Sequence, residues 1–344
     1  MNYSRMFNLL AAIGYKRCIV SLILASLLIP IGIRPTYKTT QSTATHPPIS
    51  EQNTTQSTKP TSSSTVVNVI LPRSFQAGLG LSNVTFNCIT TRLIDMKFPI
   101  CVYPAAIDTP ISRTLMHGYY YEREHVSQVF RLLQLDRRLQ FVDIGANIGV
   151  FSLPIARLTQ VLAVEPYVRS MARLAKAVDL GGISSNITLV HNAISDVRTN
   201  FKLDVNRANQ GQAILFPTNN KQCISTYEDV QPCTLSVLLN DLLPHMRSTA
   251  ALLKVDVVTH EFKVFTEWSA GQFFDKIDVP VVFMQYLSRT KFTPQHFIEP
   301  LLNFFHKRNY VAFDTSNYYR LRKNCRQLPK NIMFKKLSYR NYTI

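Results

Sequence analysis

The stretch that decides the fold is FVDIGANIGVFS, Phe141–Ser152. An apolar run ending in an acidic residue, LQFVDI (139–144), leads into Gly145 and Gly149 and then into helix-compatible sequence. Glycines at such a turn let the backbone bend sharply and approach a ligand, while the next helix offers its positive N-terminus. Many strand–helix turns carry glycine for packing alone, so the loop by itself leaves both readings open. Two nucleotide signatures are absent. Asn147 and Val150 stand at the second and third glycine positions of the dinucleotide fingerprint, and no P-loop spacing with Lys and Ser/Thr occurs.

Outward from this loop, QVLAVE (160–165) is a second apolar run, and Gly149–Leu158 between them predicts a helix with Pro154 in its first turn. Met171, Leu174, Ala175 and Val178 fall at i, i+3, i+4 and i+7, predicting an amphipathic helix that stops at Gly181-Gly182. ITLVHN (187–192), ALLKVDV (251–257) and VPVVFMQ (279–285) predict further strands, and His296–Lys307 a helix. Such alternation indicates an α/β domain whose parallel sheet is covered on both faces. Ligands bind such sheets at the carboxyl ends of the strands, near the topological switch point. Asp143 precedes the glycine turn and Glu165 ends the next strand. A carboxylate at Glu165 can accept both hydroxyls of a ribose, two oxygens matching two adjacent donors. A solvated strand end is the other reading of that residue.

In order and spacing, FVDIGANIG (141–149), LAVEP (162–166), ITLVHNAISD (187–196), the NQG turn (209–211) and LKVDVVTHE (253–261) resemble the FkbM-type S-adenosylmethionine-dependent methyltransferases, over about 140–285. The resemblance implies a Rossmann-like, seven-stranded class I methyltransferase fold with S-adenosylmethionine as cofactor. It implies that Asp143, Gly145, Asn147 and Gly149 line the methionine end, that Glu165 binds the ribose, and that the segment from Asn192 to Asp196 approaches the adenine. Asn192 and Asp196 capping a turn is the bland rival. Where the family pattern is similar to DVEGxE, this chain has Val258 for an acidic residue and Thr259 for a glycine, and where relatives tend to read MEW it has Met284-Gln285-Tyr286. Asp256, His260 and Glu261 remain as the catalytic candidates. His260 has a side chain that titrates near neutrality, as a base requires, or it simply starts a helix. With two carboxylates replaced, a cofactor-binding relative that does not transfer methyl groups stays open beside the enzyme.

The chain has 344 residues, 46% of them hydrophobic and 17% charged, which excludes a wholly disordered or fibrous protein. Its 38 Lys+Arg against 21 Asp+Glu give a net charge of +17, which suits anionic partners or a solvated basic face. The C-terminal region concentrates Arg320, Arg322, Lys323, Arg326, Lys330, Lys335, Lys336 and Arg340. There NIMFKK (331–336) reads as a last edge strand guarded by lysines, or its charges meet an acidic glycan or membrane. No metal site is expected: CxxC, HExxH and Asp-x-Asp are all absent. The lack of Asp-x-Asp weighs against a Golgi glycosyltransferase, the third reading. Tyr119-Tyr120-Tyr121 reads as packing rather than as a sugar platform.

Organisation follows from composition. Residues 1–17 read as a cytoplasmic tail, 18–33 as an uncharged signal anchor, 34–65 as a disordered Ser/Thr-rich stalk, and 66–344 as a lumenal domain with its core at about 139–314. That is a single-pass type II membrane protein of the secretory pathway, expected in the Golgi, with sequons at Asn53, Asn83, Asn186 and Asn341. Proximity suggests Cys88–Cys101 and Cys223–Cys233 as bridges, leaving Cys325 unpaired or intermolecular. The expected activity is O-methylation of a glycan or glycoconjugate hydroxyl. The expected partners are that glycan and the membrane, not nucleic acid.

Overall fold

The computed structural model describes residues 67–79, 81, 84–206, 209–218, 232–258, 260–286, 295–322, 325 and 327–340. The expected tail, anchor and stalk lie outside them, as do Asn53, Asn83 and Asn341. Among the described residues no helix is long and apolar enough to cross a membrane. In chain order the elements are β1 (Val69–Ile70), α1 (Pro72–Gly78), β2 (Asn87–Leu93), β3 (Met96–Val102), α2 (Ser112–Met116), α3 (Arg123–Leu135) and β4 (Leu139–Ile144). Then come α4 (Ser152–Ile155), β5 (Val161–Val164), α5 (Val168–Leu180), β6 (Ile187–Val190), β7 (Ala193–Ile194), β8 (Asn200–Asn206), β9 (Asn209–Pro217) and β10 (Cys233–Val237). After a 3-10 turn at Leu239–His245 follow β11 (Ala250–Val255), α6 (Glu261–Val264), α7 (Glu267–Lys276), β12 (Asp278–Gln285), α8 (Gln295–Lys307), β13 (Tyr310–Asp314) and β14 (Asn331–Lys336).

Every residue of β4, β5 and β11 is buried, as expected of strands covered on both faces. Phe141, Ala163, Leu252 and Val281 pack into the core on one side of the sheet, and Val142, Leu162, Leu253 and Val282 into the core on the other. The large sheet has eight strands in the order β1-β6-β5-β4-β11-β12-β14-β13. The five from β6 to β12 are mutually parallel; β14 runs antiparallel to both of its neighbours, and β1 antiparallel to β6. From β4 the chain steps outward to β5 and β6, then returns to the other side of β4 to form β11. The order therefore reverses between β4 and β11, and the crevice at their carboxyl ends is the switch point.

The amphipathic helix forms as α5, with Met171, Leu174, Ala175 and Val178 all fully buried and Gly181 as its C-cap. The helix expected over 149–158 is the single turn α4, with Pro154 inside it. The NQG segment is not a turn: Asn209 opens β9 of a smaller sheet, ordered β7-β10-β8-β9. NIMFKK is not an edge strand either. It lies between β12 and β13, its Ile332, Met333 and Phe334 are buried, and Phe334 stacks on Phe305 with ring centroids 3.8 Å apart. Lys336 pairs with Asp278 at 3.0 Å, so that lysine joins a neighbouring strand rather than guarding an open edge.

Cys88 and Cys101 stand opposite each other on β2 and β3 and form a disulfide. Cys233 is disulfide-bonded, and its expected partner Cys223 lies outside the described residues. Cys325 is buried, with its thiol donating to the Gln327 carbonyl. The sequon residue Asn186 spends its side-chain nitrogen on the Ala156 carbonyl at 2.9 Å, which commits the atom that a glycan would need.

Candidate active site

At the switch point β4 and β11 lie in register, with Asp143 opposite Lys254. The chain leaves β4 through Gly145 at φ +82°, where a Cβ would sit 1.9 Å from the Asp256 carbonyl oxygen. Both the backbone angle and the neighbouring strand exclude a side chain there. Gly149, at φ +95°, has a different reason. Its Cβ would meet Leu174 Cδ1 at 2.6 Å and Leu153 Cγ at 2.8 Å, so that glycine serves packing behind the loop and does not line the cleft. Asn147 takes the left-handed conformation at φ +51°, which its short polar side chain tolerates. Its amide donates to Glu165 Oε2 at 2.8 Å, and its Oδ1 accepts from the Ser170 hydroxyl at 3.1 Å.

Glu165 is therefore fastened across the loop. Its Oε1 accepts from the Tyr167 amide at 2.8 Å, and its carboxyl faces a cleft walled by Gly145, Asn147, Glu165, Asn192, Asp256 and Val258 among apolar residues. The cleft encloses about 540 Å³ including its open mouth. Burial pushes the Glu165 carboxyl up to about 7, and nearby Asp143 pushes the same way; the two backbone amides and Lys254 oppose the rise.

The expected site residues separate into those that reach this cleft and those that do not. Gly145, Asn147, Glu165 and Asp256 line it. Asp143 lies beneath the loop, fully buried, with Oδ2 accepting from the Ser152 hydroxyl at 2.6 Å and Oδ1 3.2 Å from Lys254 Nζ. Asn192 lines the cleft, but its Oδ1 accepts from the Asn68 amide and its Nδ2 donates to the Leu235 carbonyl. Asp196 is drawn away: it pairs with Lys263 at 2.9 Å, in a neighbouring groove with Phe262 and Thr266. His260 caps α6, lies edge-on to Phe201, and is held below the usual imidazole range by burial and then by Lys263. Glu261 is wholly buried in the same helix. Of the three catalytic candidates, Asp256 alone stands in the cleft. Burial raises its carboxyl to about 6, against the pull of Lys254 at 3.8 Å and with the push of Glu122.

Five parallel strands, a reversed strand inserted before the last, and a glycine crevice at the switch point are now together. That strand order is the one the sequence resemblance leads one to expect of a Rossmann-like α/β fold. The chain is similar in structure to a SAM-dependent methyltransferase from Agrobacterium tumefaciens, at 10% identity and a TM-score of 0.40, covering 74% of this chain and 71% of that one. It is similar also to a SAM-dependent O-methyltransferase from Thermotoga maritima, at 10% identity and a TM-score of 0.33, covering 73% and 78%. A third is the tRNA m1G37 methyltransferase of M. jannaschii, at 11% identity and a TM-score of 0.35, covering 74% of this chain and 59% of that one. No protein-family model and no curated protein matches the sequence.

Beside this cleft stand residues that were not singled out in the sequence. Lys254, on β11, donates from Nζ to the Gly145 carbonyl at 2.9 Å. Burial works against its charge, but Asp143, Asp256 and Glu122 more than offset that and hold it above its usual range. Gln285, where the resemblance leads one to expect a carboxylate, donates from Nε2 to Glu122 Oε1 at 2.7 Å. A carboxylate is thus present at that place, carried by the residue before α3. Lys254 had a sequence signal, a lone charge inside the apolar run ALLKV; Glu122 had none.

Proposed function

We propose that the chain is an S-adenosylmethionine-dependent O-methyltransferase of the FkbM type. The single observation that carries the reading is Glu165, a buried carboxylate at the end of β5, aimed into the crevice beside the Gly145 turn. A carboxylate offers about four lone-pair sites, and two backbone amides take one on each oxygen. Two remain for a pair of ribose hydroxyls, so the donor set fits the cofactor. Gly145 and Asn147 would hold its methionine end, the apolar wall from Val164, Ile194 and Leu215 its base. When bound, the cofactor supplies an electrophilic methyl group. The acceptor is a hydroxyl of a glycan or glycoconjugate in the secretory pathway; that part rests on the apolar anchor, the stalk and the sequons of the sequence alone.

Glu165→Gln should weaken cofactor binding by about 1.5–3 kcal/mol, the usual worth of hydrogen bonds to a charged group. Wild-type affinity should rise as pH climbs through about 7, where the raised carboxyl ionises. Stability runs the other way. With a folded value above its ordinary 4.5, this carboxyl binds more protons folded than unfolded, so its contribution falls as pH rises from about 4.5 to 7. Titration calorimetry of the whole protein with S-adenosylmethionine tests the reading. Absence of heat at millimolar cofactor, or equal affinity for Glu165→Gln, overturns it.

A second reading, binding without transfer, draws on Val258, a β-branched residue at φ +27° where the resemblance implies a carboxylate. Calorimetric heat with no labelled methyl incorporated into lumenal glycans would select it.

A further inference from the structure

A second cleft opens beside the first, lined by Glu122, His125, Phe151, Lys254, Gln285 and Asn331 among others. Resting on the cofactor assignment above, we propose that this cleft receives the acceptor, that it selects an uncharged polyol such as a neutral sugar, and that Glu122 takes the proton of the reacting hydroxyl. Lys254 is a residue of the second cleft that touches two residues of the first. Its side chain lines the second, while its Nζ touches the Gly145 carbonyl and lies 3.8 Å from Asp256 Oδ2, both in the first. A group seated in the second cleft is thus one side chain away from the cofactor cleft.

The chemistry of the wall selects the ligand. Gln285 Nε2 donates to Glu122 Oε1 at 2.7 Å and to Asn331 Oδ1 at 3.2 Å, and the Thr315 hydroxyl meets His125 Nε2 at 3.4 Å. Carboxylate, two amides, imidazole and hydroxyl give interleaved donors and acceptors, which a polyol needs; an ammonium acceptor would use only the acceptors. Although the chain carries +17 overall, the ammonium in this wall, Lys254, already faces Asp143, Asp256 and Glu122. A phosphate or carboxylate ligand would meet that surplus of negative charge and be repelled. Glu122 also holds a left-handed backbone at φ +51°, a conformation that a long side chain adopts at a cost and that clusters at functional sites. In the transfer, the hydroxyl oxygen takes the methyl carbon as its proton passes to Glu122. The broken carbon–sulfur bond leaves its electron pair on sulfur and cancels the sulfonium charge.

The test uses the full chain in detergent, saturated with S-adenosylhomocysteine, and saturation-transfer NMR with three probes: methyl β-galactoside, its 6-phosphate, and methyl β-glucosaminide. The neutral glycoside should bind at least tenfold more tightly than the phosphate. Glu122→Gln should weaken it about tenfold, the worth of one charge-assisted hydrogen bond, with the calorimetric heat of S-adenosylhomocysteine unchanged. His125→Ala, on the other side of the cleft, should weaken it severalfold. Preference for the phosphate or the amine, or unchanged glycoside binding in both variants, overturns the proposal. Retained S-adenosylhomocysteine heat with no glycoside signal also sinks it and leaves the cofactor assignment standing. Loss of that heat in the wild type removes the cofactor assignment itself, and this inference with it.

Discussion

Gly145→Ala should destabilise the protein by about 2–5 kcal/mol, read as a lower denaturant midpoint at unchanged slope. The added methyl carbon would lie 1.9 Å from the Asp256 carbonyl oxygen, and that obstacle is backbone of the adjacent strand. A side chain could rotate away; β11 can yield only by separating from β4, where Leu252 and Leu253 pack the two cores. The left-handed angle adds about 1–2 kcal/mol of its own. Gly149→Ala is the informative contrast. Its obstacles are the ends of Leu174 and Leu153, which can shift, so the loss there should be smaller despite a similar angle. A loss under about 1 kcal/mol at Gly145, on a scale where core overpacking costs about 1–3, would refute the close approach.

Lys254→Met should cost about 3–5 kcal/mol at neutral pH, the usual consequence of removing one partner from a buried ion pair. Asp143 is fully buried 3.2 Å from the ammonium, and in the variant its charge would have no cation at that place. The pH dependence identifies the cause. Without Lys254, whose charge pulls the Asp256 carboxyl down against burial, that carboxyl is held still further above its ordinary 3.8. A raised folded value means that the variant keeps most of its stability at low pH and loses it as pH rises through that value. Denaturation at pH 5 and pH 8 should therefore show the larger deficit at pH 8. An equal deficit at both would mean lost packing against Phe151 rather than a stranded charge. Because Lys254 Nζ contacts the Gly145 carbonyl, the two substitutions share a partner, and their effects should not add.

The parts of the fold that could be read from the sequence are those whose burial leaves a one-dimensional trace. LQFVDI and ALLKV are unbroken apolar runs because both faces of β4 and β11 are covered, and α5 shows its spacing because one face is buried. Strand order leaves no such trace. NIMFKK ends in two lysines and reads as an edge, yet it pairs on both sides, because β13 arrives later in space though earlier in sequence. The smaller sheet went unread for a related reason: β8 alternates apolar Phe201 and Leu203 with Lys202 and Asp204, the weaker pattern of a strand buried on one face. At the site, Glu165 was legible because its place follows from the strand before it. His260 and Glu261 stand close to Asp256 in sequence, but α6 carries one against Phe201 and buries the other. Glu122 reaches its place from a distant segment, and adjacency of that kind is written only in three dimensions.

The slot filled by β14 has a consequence for how the chain is made. Among the described residues of the large sheet β13 has β14 as its only neighbour, so residues 310–314 cannot join until residues 331–336 have been synthesised and threaded beside β12. Until then β12 is the temporary border of the sheet, with a row of unpaired amides and carbonyls flanked by Val281 and Phe283. Such a border invites other chains to pair with it. Strands laid down in sequence would have closed the sheet progressively; here two of them arrive together, and a late-translated strand ends the interval in which a nascent molecule is open to aggregation.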